Sequence, residues 1–219
     1  MTTALLFDLD GTLIDSDRLH ARAFADLLRP RGLNIDFAFY RDNIHGRHNL
    51  DIFADLCPGE DAQWWSDHKE AAYRELLGTS QPPIAGAAEL LDLADELGWR
   101  KAVVTNAPRD NGEAVLTALG LAERFDTLVI GDECSRGKPD PAPYLEALRR
   151  LATPASRALA FEDSPTGIHA ARDAGITTIG LRSMLDDVAL RAAGATASIA
   201  DFADPALKPY LDKLQGTFA

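Results

Sequence analysis

Leu6-Phe7-Asp8-Leu9-Asp10-Gly11-Thr12 sets two carboxylates two residues apart, after an apolar run and before a glycine turn. Residues i and i+2 of a strand share a face, which would place the two acids side by side. Acids that close repel each other unless a proton or a cation intervenes. A hard divalent ion such as Mg²⁺ is the expected remedy; a plain polar strand end is the alternative. Val103-Val104-Thr105-Asn106 closes another apolar run with a hydroxyl and an amide. The pair suits an oxyanion or a phosphate oxygen, or else caps the next helix. In Gly137-Lys138-Pro139-Asp140-Pro141 the prolines stiffen the backbone around Asp140, prepare a helix start and direct Lys138, which is otherwise a solvated charge. Ala160-Phe161-Glu162-Asp163-Ser164-Pro165 puts two more acids at the end of a run, where Asp163 or Ser164 can also cap the helix after Pro165.

The elements that carry these groups follow from hydrophobic spacing. Short apolar runs at 4–7, 102–105, 127–130, 158–161, 177–181 and 197–199 read as strands buried on both faces. Between them, 87–97, 113–119, 141–151 and 168–174 have helical spacing, and Gly98, Gly120 and Gly175 stand where helices stop. Strand and helix in alternation imply a parallel sheet with right-handed crossovers, and ligands of such sheets bind beyond the carboxyl ends of the strands. The rhythm breaks at Ser16. From there to about Gly78 the pattern is helical, and Gly78-Thr79-Ser80-Gln81-Pro82-Pro83 reads as a linker. The expected organisation is an α/β core of residues 1–15 and 82–219 with a helical domain, 16–81, inserted after the first strand.

Composition narrows the classes. The chain has 219 residues, 46 % of them hydrophobic, and a formal net charge of −12. The apolar mass is enough for a core. The acidity is a poor match to nucleic acid or anionic lipid, while a local basic pocket or a bound cation still admits a small anion. Cys57 and Cys134 make no metal pair and no disulfide framework. The first residues have no basic, apolar leader pattern and no run approaches a membrane span, so a cytoplasmic protein is expected.

Taken together, the four segments resemble the haloacid dehalogenase (HAD) superfamily over essentially the whole chain. Asp8-Leu9-Asp10-Gly11-Thr12 resembles its first motif, Thr105 its second, Lys138 its third and Glu162-Asp163 its fourth. The helical insertion is similar to that of the α-helical cap subclass. Asp15-Ser16, His20, Gly167-Ile168 and Ala170-Ala171 are similar to the β-phosphoglucomutase-like and sugar-phosphatase branch. The resemblance implies a Rossmann-like parallel sheet flanked by helices, with an inserted cap. It implies a phosphatase that hydrolyses a small phosphorylated metabolite, such as a sugar phosphate, through an aspartyl-phosphate on Asp8. Asp10 would protonate the leaving alkoxide and then take a proton from water. Mg²⁺ would be held by Asp8, the Asp10 carbonyl and Asp163, with Glu162 as ligand or outer group. Thr105, Lys138 and the backbone near Asp10 and Asn106 would bind the phosphoryl oxygens. Dehalogenases of the superfamily lack the second acid, so Asp10 favours phosphorus chemistry.

The cap would close over the site and read the leaving group. His20 stands where the mutases carry a histidine that couples closure to acid–base action, and His45-Gly46-Arg47-His48 is a candidate substrate loop. The mutases place Lys before that glycine and Arg three residues after it, where this chain has His45 and Asn49. A mutase must anchor a second phosphate, for which Arg is suited, so hydrolase is the reading and phosphomutase the alternative. A non-catalytic HAD-like module is the remaining one, though such modules commonly lose an acid or the lysine, all present here. A monomer is expected, because a cap shields its own site.

Overall fold

The computed structural model describes residues 2–216. By contacts the chain divides into two compact units, Met1–Asp15 with Pro82–Ala219, and Ser16–Gln81.

The first unit contains β1 (Ala4–Phe7), α5 (Ala87–Glu96), β2 (Arg100–Thr105), α6 (Arg109–Ala118), β3 (Thr127–Ile130), α7 (Ala142–Leu151), β4 (Ala158–Glu162), α8 (Pro165–Asp173), β5 (Thr177–Leu181), α9 (Asp187–Ala192), β6 (Ala197–Ile199) and α10 (Lys208–Gly216). Among the described residues the strands form one parallel sheet in the order β3-β2-β1-β4-β5-β6. β1 is fully buried between β2 and β4, with Leu6 opposite Ala102 on one side and Ala160 on the other. Its alternation feeds two cores. Ala4 and Leu6 pack with Val104, Val129, Tyr144, Leu148 and Ala170 under α7 and α8. Phe7 points the other way and stacks on Phe161 at 4.9 Å, with the Phe202 ring edge-on at 5.7 Å.

The apolar runs match the strands, but α6 and α8 begin earlier than the apolar spacing indicates. Their first turns are largely polar or capping residues: α6 starts behind Pro108, and α8 has Pro165 in its first turn and Ser164 accepting from the Gly167 N–H. Such turns are specified by caps, not by periodicity. Gly98, Gly120 and Gly175 all adopt left-handed φ.

The second unit consists of α1 (Asp17–Leu28), α2 (Phe37–Asn43), α3 (Asn49–Leu56) and α4 (Ala62–Leu77). Phe24, Leu28, Tyr40, Ile44, Ile52, Phe53 and Trp65 form its core. Asp36 and Asp61 cap α2 and α4 through their side chains. Of the tryptophan pair, Trp65 is buried and Trp64 exposed. No helix among the described residues is long and apolar enough to cross a membrane.

Candidate active site

The strand order reverses direction at β1, whose neighbours are β2 and β4. That switch point leaves a crevice beyond the carboxyl ends, the usual ligand position in open parallel sheets. Asp8 stands there. Its N–H donates to the Phe161 carbonyl at 2.9 Å, so the ladder runs one residue past β1 before the chain turns. The turn differs from the expected arrangement. Asp10 does not share a strand face with Asp8, because the strand has ended: the Leu13 N–H bonds to the Leu9 carbonyl and the Gly11 N–H to that of Ile14. Asp10 belongs to this tight turn, close enough for its charge to act on Asp8. Gly11 has φ +75°, and a Cβ there would overlap the Asp163 carboxylate. The turn and the end of β4 thus approach as closely as glycine permits.

Lys138, in the loop between β3 and α7, is buried with its ammonium 2.6 Å from Asp8 Oδ1 and 2.5 Å from Glu162 Oε1. Glu162, at the end of β4, is fully enclosed and also accepts from the Tyr144 hydroxyl at 2.7 Å. Its carboxylate fills the space above Gly167, where a Cβ would overlap it. Asp163 follows and accepts from the Ser183 hydroxyl at 2.8 Å, a group supplied by the segment after β5. Asp8, Glu162 and Asp163 each bring a ligand oxygen within 4.8 Å of the others. An all-oxygen set of buried carboxylates fits a hard divalent cation.

The charges are strongly coupled. Burial pushes the Asp8 carboxyl up to about 7; Lys138 pulls against this, and the charges of Glu162 and Asp10 add to the rise. Burial works to lower the Lys138 pKa, but Asp8 and Glu162 outweigh it and hold the lysine above its ordinary value. One ammonium shared by two carboxylates stays charged yet cannot fully compensate both. Burial and the Glu162 charge push the Tyr144 phenol well up, so it remains a neutral donor.

Thr105, at the end of β2, is buried, and its hydroxyl accepts from the Ala107 N–H at 3.0 Å. Asn106 presents its side chain to the backbone of Lys138, at 2.9 and 3.0 Å, and not to the crevice acids. Asp8, Lys138, Glu162 and Asp163 are therefore brought together by contact. Tyr144 and Ser183 join them without any signal in the sequence, since their partners lie 18 and 20 residues away.

The remaining candidates lie in the helical unit. His20 stacks on Tyr73 at 4.0 Å and accepts from the Lys69 ammonium at 2.8 Å. Lys69, itself buried, also bonds to Glu70 at 2.9 Å, and Asn49 donates to Glu70 at 2.6 Å. Burial would raise the Glu70 pKa, but Lys69, His20 and Asn49 together hold it below the ordinary value. His45 stands 3.7 Å from Asp17. Gly46 is left-handed, and the Arg47 guanidinium donates to Asp55 at 2.5 Å and to the Asn43 carbonyl.

Known proteins are similar to this chain in sequence and fold. The sequence profile of the haloacid dehalogenase-like hydrolases matches residues 5–181. A validoxylamine A 7'-phosphate phosphatase of Streptomyces hygroscopicus subsp. limoneus is 38 % identical over 198 residues, which cover 87 % of this chain and 90 % of that protein. A phosphorylated carbohydrates phosphatase of Thermotoga maritima is 30 % identical over 205 residues, or 90 % of this chain and 93 % of its own. The solved structure of CbbY from Rhodobacter sphaeroides in complex with phosphate has a TM-score of 0.79 at 30 % identity, and covers 93 % of this chain and 96 % of that one. With a matching profile over most of its length and relatives similar over most of theirs, the chain belongs to the haloacid dehalogenase-like hydrolases.

Proposed function

We propose that this enzyme is a Mg²⁺-dependent phosphatase that hydrolyses a small phosphorylated metabolite, a sugar phosphate or related polyol phosphate, through an aspartyl-phosphate on Asp8. The observation that carries the reading is the buried carboxylate of Asp8 at the switch point, 2.6 Å from the Lys138 ammonium and clustered with Glu162 and Asp163. The names of the relatives, a validoxylamine A 7'-phosphate phosphatase and a phosphorylated carbohydrates phosphatase, support the substrate class.

Asp8 attacks phosphorus; as a carboxylate it needs no base to activate it, and the covalent route divides one difficult displacement into two easier ones. Asp10, in the adjoining turn, protonates the departing alkoxide and later takes the proton of the attacking water. Lys138, the Thr105 hydroxyl and the backbone N–H of Asn106 bind the phosphoryl oxygens, the positioning and charge stabilisation that phosphoryl transfer requires. Asp8, the Asp10 carbonyl and Asp163 would hold Mg²⁺, with Glu162 as a further ligand or outer group. A divalent cation held there would supply positive charge that favours the ionised form of Asp8 and offsets repulsion between nucleophile and phosphate.

The helical unit is read as a cap that excludes water and recognises the leaving group through His20 and the His45-Gly46-Arg47 loop. Asn49 is bonded to Glu70 and Arg47 to Asp55, which supports hydrolysis over a mutase that must clamp a second phosphate. The two free thiols, Cys57 and Cys134, suit the cytoplasm, and a monomer suffices if the cap shields the site. A phosphate-release screen over phosphorylated metabolites with Mg²⁺ tests the reading: release is expected from a sugar or polyol phosphate and is abolished by Asp8→Asn. Wild-type turnover in Asp8→Asn would remove the nucleophile from this account.

A further inference from the structure

Asn106 sits one residue beyond the last pairing of β2 with β3, Thr105 opposite Ile130. There the β3 chain leaves the sheet in a tight turn at Gly131–Glu133. With no strand neighbour left, Asn106 reaches the backbone of a residue 32 positions on. Its Oδ1 accepts the Lys138 N–H at 2.9 Å and its Nδ2 donates to the Lys138 carbonyl at 3.0 Å. The slot for this amide is made by two glycines. A Cβ on Gly131 would overlap Asn106 Oδ1, and one on Gly137 would come within 2.9 Å of it. We propose that Asn106 is a positioning residue for Lys138: its amide replaces the missing strand neighbour, fixes both backbone polar groups of Lys138, and so aims the ammonium at Asp8 and Glu162.

The physical need is clear from the lysine itself. An ammonium on a flexible four-carbon stem is a poor fixed charge unless its backbone is held. The next residue, Pro139, has no N–H with which to anchor the loop. A pair of hydrogen bonds to the N–H and the carbonyl of one residue fixes the two peptide units that flank it, which a single bond does not. The inference rests on the proposed role of Lys138 in binding the phosphoryl group. It differs from direct ligand binding by the Asn106 side chain, whose oxygen and nitrogen are both engaged by Lys138.

A double-mutant cycle on the full chain with Mg²⁺ tests it, read by hydrolysis of p-nitrophenyl phosphate and by calorimetric affinity for orthovanadate. Asn106→Ala should weaken orthovanadate binding and lower kcat/KM by about 10- to 100-fold, the scale of an ångström-sized misplacement. In a Lys138→Met background the same change should alter orthovanadate affinity by less than about threefold, because residues acting through one another are not additive. Gly137→Ala, which intrudes on the amide slot without touching Asn106 or Lys138 chemically, should reproduce the Asn106→Ala loss. Equal fold losses from Asn106→Ala in both backgrounds would overturn the proposal alone. So would a Gly137→Ala protein with wild-type affinity and turnover. A Lys138→Met protein that binds orthovanadate as tightly as the wild type would remove the role of Lys138 itself, and the proposal with it.

Discussion

Replacing Lys138 by Met removes a charge while keeping an apolar stem of similar volume, so the effect on stability reports electrostatics. The ammonium side chain is 4 % exposed and that of Glu162 0 %, and Lys138 bridges two acids that burial already destabilises. Removing one partner of such a buried pair costs about 3 to 5 kcal/mol, because the remaining charges are left uncompensated. For a chain of this size that is about 6 to 20 °C in Tm. The loss depends on pH with a definite sign. The Asp8 carboxyl, with an ordinary value of 3.8, is already raised to about 7 with Lys138 in place, and loss of the lysine raises it further. An acid whose folded-state pKa is raised retains a proton that the unfolded chain has released, so stability falls as pH rises through that interval. The wild-type and Lys138→Met melting curves should therefore run parallel from pH 4 to about pH 7, where folded Asp8 is protonated in both, and separate by about a further 3 to 6 °C between there and pH 8. Circular-dichroism melts in EDTA across this range make the comparison, and added Mg²⁺ at pH 8 should recover part of the loss by supplying positive charge to the same acids. Parallel Tm curves across the whole range would refute the reasoning, since they would mean that Lys138 does not compensate Asp8 and Glu162 in the folded protein.

Proton competition for Asp8 makes Mg²⁺ binding pH-dependent. With the carboxyl raised to about 7, binding at pH 6 should release close to one proton and be about tenfold weaker than at pH 8. Calorimetry in two buffers of different ionisation enthalpy counts the protons, and none released at pH 6 contradicts the prediction. Gly167→Ala would drive a Cβ into the Glu162 carboxylate. Overpacking of about 1 to 3 kcal/mol should lower Tm by about 2 to 12 °C and reduce turnover together, and a variant that melts and turns over like the wild type disproves the close approach. Ser183→Ala should weaken Mg²⁺ affinity by about tenfold, as loss of a group orienting a metal-binding carboxylate does, while the metal-free Tm stays put. Unchanged affinity would show that the 2.8 Å bond to Asp163 does not orient it.

The strands and their order along the chain were legible because each is a short apolar run between turn residues, a property of neighbouring residues alone. So were the acids, the threonine and the lysine that follow them, since parallel strands bring their carboxyl ends to one edge whatever their lateral order. The starts of α6 and α8 were less legible, being written in polar and capping residues that carry no period. The insertion at Ser16 was legible as a change of pattern. The position of Asp10 was not, because a strand that stops at Phe7 cannot pass its alternation to a residue in a turn. Nor was the use of Asn106, Tyr144 and Ser183, each of which acts on a group between 18 and 32 residues away. No local pattern encodes such pairings. They exist only after the sheet has set β1 between β2 and β4 and burial has left every polar group there in need of a partner. The amino-acid sequence alone thus determined which chemical groups this hydrolase possesses, and the tertiary structure decided which of them hold the others in place.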